Sequence, residues 1–168
     1  MTRWLGWLGL LARLVLGGVW LWAGLAKLPH PEASVSAVRA YQLLPTGMAQ
    51  TVGHVLPWLE VVVGACLVLG LLVRVTAVVS GLLLIAFLVG IISVWSRGIE
   101  IDCGCFGNGG PNPNASSAYP WEIARDVGLL ALSLFLAWLD RTRLAVDGLL
   151  FPPLESYETE EVDVEAKS

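Results

Sequence analysis

The chain has 168 residues, of which 56% are hydrophobic and only 14% are charged, and its formal net charge is −4. With a mean hydropathy of +0.72, this composition excludes an ordinary soluble domain and indicates an integral membrane protein. The few basic residues neither cluster nor form a stripe, so we expect the lipid bilayer as a partner and no nucleic acid.

Four apolar segments approach the roughly 20 residues that a helix needs to cross the bilayer core. Only Arg74 separates the second from the third, and one continuous helix there would be about twice the bilayer thickness, so we expect a tight helical hairpin around Arg74. All four segments contain Gly, Ala or Ser, which let helices approach closely in lipid. The sequence therefore predicts an all-α, integral membrane four-helix bundle with spans over residues 8–28, 56–73, 75–94 and 121–139.

The two loops on one side of these spans have distinct characters. Residues 31–44 have apolar residues near helical spacing and precede Pro45, which predicts an interfacial helix. This helix either joins two spans or also covers the outer end of the bundle. The loop between the third and fourth spans, residues 96–120, is rich in turn-forming residues and contains Cys103-Gly104-Cys105.

The Lys and Arg residues of the short loops favour one side of the membrane, which should be cytoplasmic. We therefore expect a multi-pass plasma-membrane protein with both termini in the cytoplasm and the cysteine loop outside it. Arg13 interrupts the first span, so we expect that span to be retained and not removed as a signal peptide. The acidic ending predicts a membrane domain over residues 1–146 and a disordered tail over residues 147–168.

Alternating span directions bring a group of ionisable residues to the membrane side that carries the cysteines. A charge at a helix centre in lipid costs about 2.5–3.5 kcal/mol, so such groups usually face the bundle and pair. Glu60 and Arg125 have opposite charges at similar depth, and we predict that they interact. The group either fixes helix packing or forms a polar layer beneath the thiols that tunes their pKa and relays protons. Its members are Lys27, Glu60, Glu122, Arg125 and Asp126.

Cys103 and Cys105 could supply the two sulfurs of thiol-disulfide exchange, one to attack and one to resolve the mixed disulfide. Gly104 permits the tight turn that a bridge across one residue needs, and strain would make such a bridge a labile oxidant. A fixed structural disulfide, a soft-metal site and two inert thiols stay open as alternatives. No recognised metal spacing is present, so we assign no metal ligand. We expect Cys66 to pack as a small buried hydrophobe.

Several short segments within residues 8–139 carry a resemblance to a known family. The most specific are Cys103-Gly104-Cys105-Phe106-Gly107 and Arg125-Asp126. The others are Ala23-Gly24-Leu25-Ala26-Lys27-Leu28, Tyr41-Gln42-Leu43-Leu44-Pro45, Leu56-Pro57-Trp58-Leu59-Glu60 and Trp121. On these residues the chain resembles the MauE/DoxX family of small four-helix membrane proteins.

MauE members of that family are implicated in maturing a disulfide-rich exported protein. The resemblance therefore implies a membrane thiol-disulfide redox protein, either an oxidoreductase itself or an accessory factor, that supports disulfide formation in an exported cysteine-containing or thioredoxin-like partner. It implies Cys103, Cys105, Glu60, Arg125 and Asp126 as the site residues. The four-helix plan is also similar to that of vitamin K epoxide reductase and bacterial disulfide-bond oxidases, so a quinone is the cofactor that this likeness implies.

Two other functions stay open from the sequence. One is a structural or assembly subunit in which Cys103 and Cys105 form a fixed disulfide. The other is a membrane protein that handles a metal or a small solute. The residues themselves name no client protein and no electron donor or acceptor.

Overall fold

The computed structural model describes residues 3–104 and 115–139. Within these ranges the chain forms five α-helices, which confirms the predicted all-α class. Cys105, the remainder of segment 105–114 and the predicted acidic tail lie outside the described residues. The helices are α1 (Arg3–Lys27), α2 (Pro31–Ala40), α3 (Thr46–Leu69), α4 (Val73–Ser96) and α5 (Ala115–Trp138).

Three helices in the described part of the chain, α1, α3 and α4, are long and apolar enough to cross a membrane by length and composition. Their exposed faces carry large apolar side chains, as is typical of helices that contact lipid. α5 is also 24 residues long, but Glu122, Arg125 and Asp126 make its first half more polar. A fourth membrane crossing by α5 therefore stays a prediction. Exposed apolar residues include Trp22, Leu82, Val89 and Ile92.

α1 and α3 pack against each other through glycines. A Cβ on Gly64 would lie 2.7 Å from the backbone N of Leu21, and a Cβ on Gly24 would lie 2.8 Å from the carbonyl O of Pro57. No side chain fits at either glycine, so the two backbones are in direct contact. Because the partners on α3 follow in reverse order along the chain, the two helices are antiparallel.

α4 and α5 form a second antiparallel pair, which a short chain of buried polar groups connects to α1. Trp20 Nε1 donates to Ser80 Oγ at 2.7 Å, and the hydroxyl oxygens of Ser80 and Ser133 are 3.0 Å apart. All three side chains are buried. Hydrogen bonds of this kind contribute about 0.6–2 kcal/mol each between helices in lipid. They therefore help to hold the second pair of helices against the first.

The predicted tight connection between two separate helices is present, but it turns at residues 70–72 and not around Arg74. Gly70 has a φ of 74° and Leu72 a φ of 46°. Glycine adopts this left-handed conformation at no steric cost, which makes Gly70 the natural end of α3. The N–H of Leu71 then donates to the carbonyl O of Cys66 at 2.9 Å. Arg74 lies in the first turn of α4.

The helix predicted in the first outer loop is present as α2, but it ends at Ala40 and does not continue to residue 44. A Cβ on Gly53 of α3 would lie 2.6 Å from Cα of Val35, so α2 packs tightly on the first part of α3. α3 itself begins at Thr46, well before residue 56, where the span was predicted to start. Hydropathy missed this beginning because the first turns of α3 are polar and pack with α2.

The glycine contact between α1 and α3 predicts that the same substitution destabilises the protein at Gly17 but not at the neighbouring Gly18. A Cβ on Gly17 would lie 3.0 Å from the carbonyl O of Gly64, whereas a Cβ on Gly18 would meet nothing within 4 Å. We expect Gly17→Leu to lower the thermal unfolding midpoint in detergent micelles, because overpacking costs about 1–3 kcal/mol. Gly18→Leu should leave the midpoint unchanged or raise it, since leucine favours helix by about 1 kcal/mol over glycine. Equal losses in both variants would contradict a close contact at Gly17.

Candidate functional site

Lys27 and Glu60 form a buried ion pair between the end of α1 and the middle of α3. Lys27 Nζ donates to Glu60 Oε1 at 2.6 Å, and the two side chains are 4% and 0% exposed. The same ammonium lies 5.6 Å from the centre of the Phe87 ring on α4, a distance at which an aromatic face attracts a cation. The pair therefore contacts side chains from three helices.

Arg125 pairs with its neighbour Asp126, so the predicted pairing of Arg125 with Glu60 is wrong. Arg125 Nε and Nη2 lie 2.9 and 2.8 Å from Asp126 Oδ1. Glu60 is paired with Lys27 because the glycine contact between α1 and α3 brings the end of α1 beside it. The sequence could place these charges at similar depth, but it could not give the rotation of each helix.

Glu60, Arg125 and Asp126 line one small cavity between the helices. Its volume is about 20 Å³. Glu60 Oε2 and Asp126 Oδ2 are buried and have no hydrogen-bond partner in the described part of the chain. Two carboxyl groups with an unsatisfied oxygen each thus border the same space. The other lining residues are Val19, Trp20, Ala23, Leu84, Phe87 and Leu129.

Cys103 is buried in an apolar cluster at the end of α4 and the start of α5. The hydroxyl of Tyr41, just after α2, donates to the Cys103 carbonyl O at 2.7 Å. Arg97 Nη2 donates in turn to the carbonyl O of Tyr41. The Tyr41 ring also lies close to Gly90 of α4, where a Cβ would be 3.1 Å from it. The cysteine backbone is therefore anchored to α2 and α4. The buried members of its cluster are Ile91, Val94, Ile101, Cys103, Ala115 and Tyr119.

Tyr119 holds the segment that leads to Cys103, a role that the sequence analysis missed. Its hydroxyl accepts from the N–H of Ile101 at 3.0 Å and lies 2.8 and 2.9 Å from the carbonyl oxygens of Ile99 and Ile101, to one of which it donates. A tyrosine beside the predicted membrane boundary was an available signal, because buried tyrosine hydroxyls usually take a partner.

Gly104 has a φ of 68°, the left-handed conformation that suits a tight turn after Cys103. Cys105, the predicted partner of Cys103, lies outside the described residues. The bridge between them therefore stays a prediction.

The charged cavity and the cysteine cluster lie about one helical turn apart. Ile91 and Ile123 pack in the Cys103 cluster, while Phe87 on α4 and Asp126 on α5 line the cavity. One turn advances the helix by about 5.4 Å. The fold thus brings the buried carboxyl groups and Cys103 to the same end of the helices.

The other residues named from the sequence lie outside this cavity. Glu122 is half-buried, and its Oε2 is buried without a hydrogen-bond partner. Cys66 on α3 is only half-buried, so it is less enclosed than expected. No group of three or more His, Cys, Asp or Glu that could hold a metal ion occurs within residues 3–104 and 115–139.

Apolar helices that enclose ion pairs, with an anchored cysteine at one end, define a small helical membrane protein with a polar site near one surface. The family model of Methylamine utilisation protein MauE matches residues 5–139. Because that match covers most of the chain, the protein belongs to the MauE family.

Two curated relatives carry the same description. The Methylamine utilization protein MauE of Methylorubrum extorquens is 35% identical over 70% of this chain and 61% of its own length. The Methylamine utilization protein MauE of Paracoccus denitrificans is 35% identical over 74% of this chain and 66% of its own length. The match thus spans less than two thirds of each relative. No solved structure matches the chain.

The buried ion pair predicts a strong effect of removing one partner and a weak effect of removing both. Lys27→Met leaves Glu60 buried without its cation, and breaking a buried pair in this way costs about 3–5 kcal/mol. The double variant Lys27→Met with Glu60→Leu should recover most of that loss, because no unpaired charge remains. Thermal unfolding in micelles measures both, with Arg39→Met as control, an exposed cation 3.5 Å from Gln50 Oε1. Equal losses for Lys27→Met and Arg39→Met would argue against a stabilising buried pair.

The Tyr119 contacts predict that Tyr119→Phe makes Cys103 more accessible. The variant leaves the Ile101 N–H without its acceptor, a loss of about 1–3 kcal/mol, which corresponds to an increase in local opening of about fivefold to 150-fold. The alkylation rate of Cys103, measured with Cys66→Ala and Cys105→Ser as background, should rise accordingly. Thr51→Val is the control, since it removes an exposed hydroxyl that bonds only within α3. An unchanged rate in Tyr119→Phe would show that Tyr119 does not hold this segment.

Proposed function

We propose that this protein is a membrane thiol-disulfide redox protein, or an accessory factor of such exchange, that supports disulfide formation in an exported cysteine-containing partner. The observation that carries the proposal is the anchoring of Cys103. Tyr41 bonds its carbonyl and Tyr119 holds the preceding residues, while Gly104 beside it takes a turn conformation. A fixed cysteine backbone next to a turn suits a pair that must form and break one bond repeatedly.

In the proposed reaction, the disulfide between Cys103 and Cys105 accepts two electrons from two thiols of the client. A client thiolate attacks one sulfur, the Cys103–Cys105 bond breaks, and a second client thiol resolves the mixed disulfide. The client leaves with a disulfide, and two protons pass from its thiols to the reduced pair. A thioredoxin-like protein in its disulfide form, or a quinone, then takes two electrons and two protons from the pair.

The proposal assigns positioning roles to the buried charges. Glu60, Arg125 and Asp126 fix α3 and α5 below the cysteine segment, and Lys27 holds Glu60 in place. The carboxyl groups of Glu60 and Asp126 exchange protons with the cysteine segment, whereas Arg125 stays charged. The ion pairs and the cavity that three of these residues line support this assignment.

The proposed topology has four membrane spans, with α5 as the fourth. Both termini then face the cytoplasm, and the cysteine segment lies outside the plasma membrane, where disulfides persist. Arg74 supports this orientation because it lies in the first turn of α4, beside the α3–α4 connection, and basic residues near span ends favour the cytoplasmic side.

A structural subunit with a fixed Cys103–Cys105 disulfide is the second candidate. The burial of Cys103, whose exposed fraction is 9%, favours it, because thiol exchange requires an accessible sulfur. In this case the anchoring by Tyr41 and Tyr119 would serve the stability of the loop alone.

Thiol exchange with a probe protein separates these candidates. We expect purified, oxidised protein carrying Cys66→Ala to accept electrons from reduced thioredoxin, so that alkylation afterwards labels two thiols. The matched variant with Cys103→Ser and Cys105→Ser should leave thioredoxin reduced. In intact cells, a membrane-impermeant maleimide should reach the reduced pair from outside.

A Cys103–Cys105 pair that stays bridged under mild reductant and does not oxidise the thioredoxin probe would support the structural subunit. A pair that is labelled only in inverted vesicles would contradict the proposed orientation. Oxidation of thioredoxin by the double serine variant would show that neither Cys103 nor Cys105 carries the exchange.

A further inference from the structure

We propose that the cavity lined by Glu60, Arg125 and Asp126 is a proton-binding site, in which one proton is shared between the Glu60 and Asp126 carboxyl groups through a single water molecule.

The unsatisfied oxygens define the kind of ligand that the cavity takes. Glu60 Oε2 and Asp126 Oδ2 are both buried without a hydrogen-bond partner in the described chain, and both residues line the cavity. Ionised carboxylates only accept hydrogen bonds, so the unsatisfied oxygens of both residues need donors. A buried polar atom without a partner costs about 1–3 kcal/mol. The ligand must therefore bring hydrogen atoms.

A water molecule and one proton meet this need. The cavity volume of about 20 Å³ exceeds the roughly 10–15 Å³ that one water requires. With one carboxyl group protonated, its O–H donates to the water, and the water donates to the other carboxylate. Both unsatisfied oxygens then have partners.

The charges around the cavity favour binding of one proton. α1 contributes Lys27, α3 contributes Glu60, and α5 contributes Glu122, Arg125 and Asp126, whereas α4 lines the cavity with Leu84 and Phe87 only. Glu122 does not line the cavity, but it lies one helical turn from Asp126 on α5 and belongs to the same buried group of charges. Two cations and three carboxylates sum to −1, and one proton brings the sum to zero. Net charge away from water is costly, so the neutral form is favoured. The other buried cation of α1, Arg13, lies about 10 Å along the helix from Trp20.

A metal cation fits this cavity less well. Lys27 already bonds Glu60 Oε1, and Arg125 bonds Asp126 Oδ1, which leaves two carboxylate oxygens. Hard cations such as Ca²⁺ or Mg²⁺ take about six or more oxygen ligands. The two neighbouring positive charges would also repel a metal ion.

The site lies close enough to the Cys103 cluster to supply a proton during thiol exchange, and this role rests on the proposed function. The cavity is about one helical turn, or 5.4 Å, from the Cys103 cluster. When a disulfide bond to Cys103 or Cys105 breaks, the leaving sulfur is a thiolate, which takes the proton from the carboxyl pair. A client thiol that ionises for the second attack returns a proton to the carboxylates.

Infrared spectroscopy of the full-length protein in lipid nanodiscs tests the site directly. At neutral pH the wild type should show the C=O stretching band of one protonated carboxyl group, shifted in D₂O. Glu60→Gln and Asp126→Asn should each abolish the band, because either change brings the charge sum to zero without a proton. Glu32→Gln, at an exposed position on α2, is the matched control and should keep it. Ala23→Leu fills the cavity without changing a charge, so it should displace the water and shift the band.

A wild-type spectrum without the band would overturn the proposal, whatever the stability of the variants. A band that persists in both Glu60→Gln and Asp126→Asn would overturn it too. An unchanged band frequency in Ala23→Leu would refute the water link. The variant with Cys103→Ser and Cys105→Ser should retain the band, so failure of thiol exchange and failure of the proton site give different results.

Discussion

The ion pair between Lys27 and Glu60 joins two helices at a point that water does not reach. Each of these charges alone would cost several kcal/mol in such surroundings, so α1 and α3 are restricted to the arrangement that keeps them together. The glycines of both helices allow that arrangement, because they bring the backbones into contact near the charged end. The Phe87 ring of α4 lies over the ammonium, and residues of α5 line the cavity beside Glu60.

The short segments that carry the family resemblance are distant in sequence and adjacent in space. Gly24 in the first contacts Pro57 in the segment that ends at Glu60, and Tyr41 bonds the carbonyl of Cys103 in the cysteine motif. Gly24 and Pro57 lie at a close contact between two helix backbones, and Tyr41 and Cys103 are joined by a hydrogen bond. All of these residues lie within the range 5–139 that matches the MauE family.

Hydropathy was sufficient to predict the apolar helices and the α2 helix, since both are properties of local sequence. It failed at Gly70, where a glycine and not the charged Arg74 ends the helix, and at Thr46, where a polar helix start packs on α2. The partner of Glu60 was beyond prediction because it depends on which faces of α1 and α3 meet. The hydrogen bonds of Tyr119 join α5 to the loop that follows α4. Such contacts could not be predicted, because sequence spacing does not show which loop residues a helix side chain meets.

The location of Lys27 at the last residue of α1 has a consequence for how the protein enters the membrane. A lysine at a helix end can keep its ammonium among the lipid headgroups, so α1 can insert before any other helix is made. Glu60 lies within α3, and its shorter side chain reaches the headgroups less readily than a lysine does. It reaches the bilayer after its cation is already present. The order of the two charges along the chain thus lets synthesis proceed from the amino terminus without leaving an unpaired carboxylate in lipid.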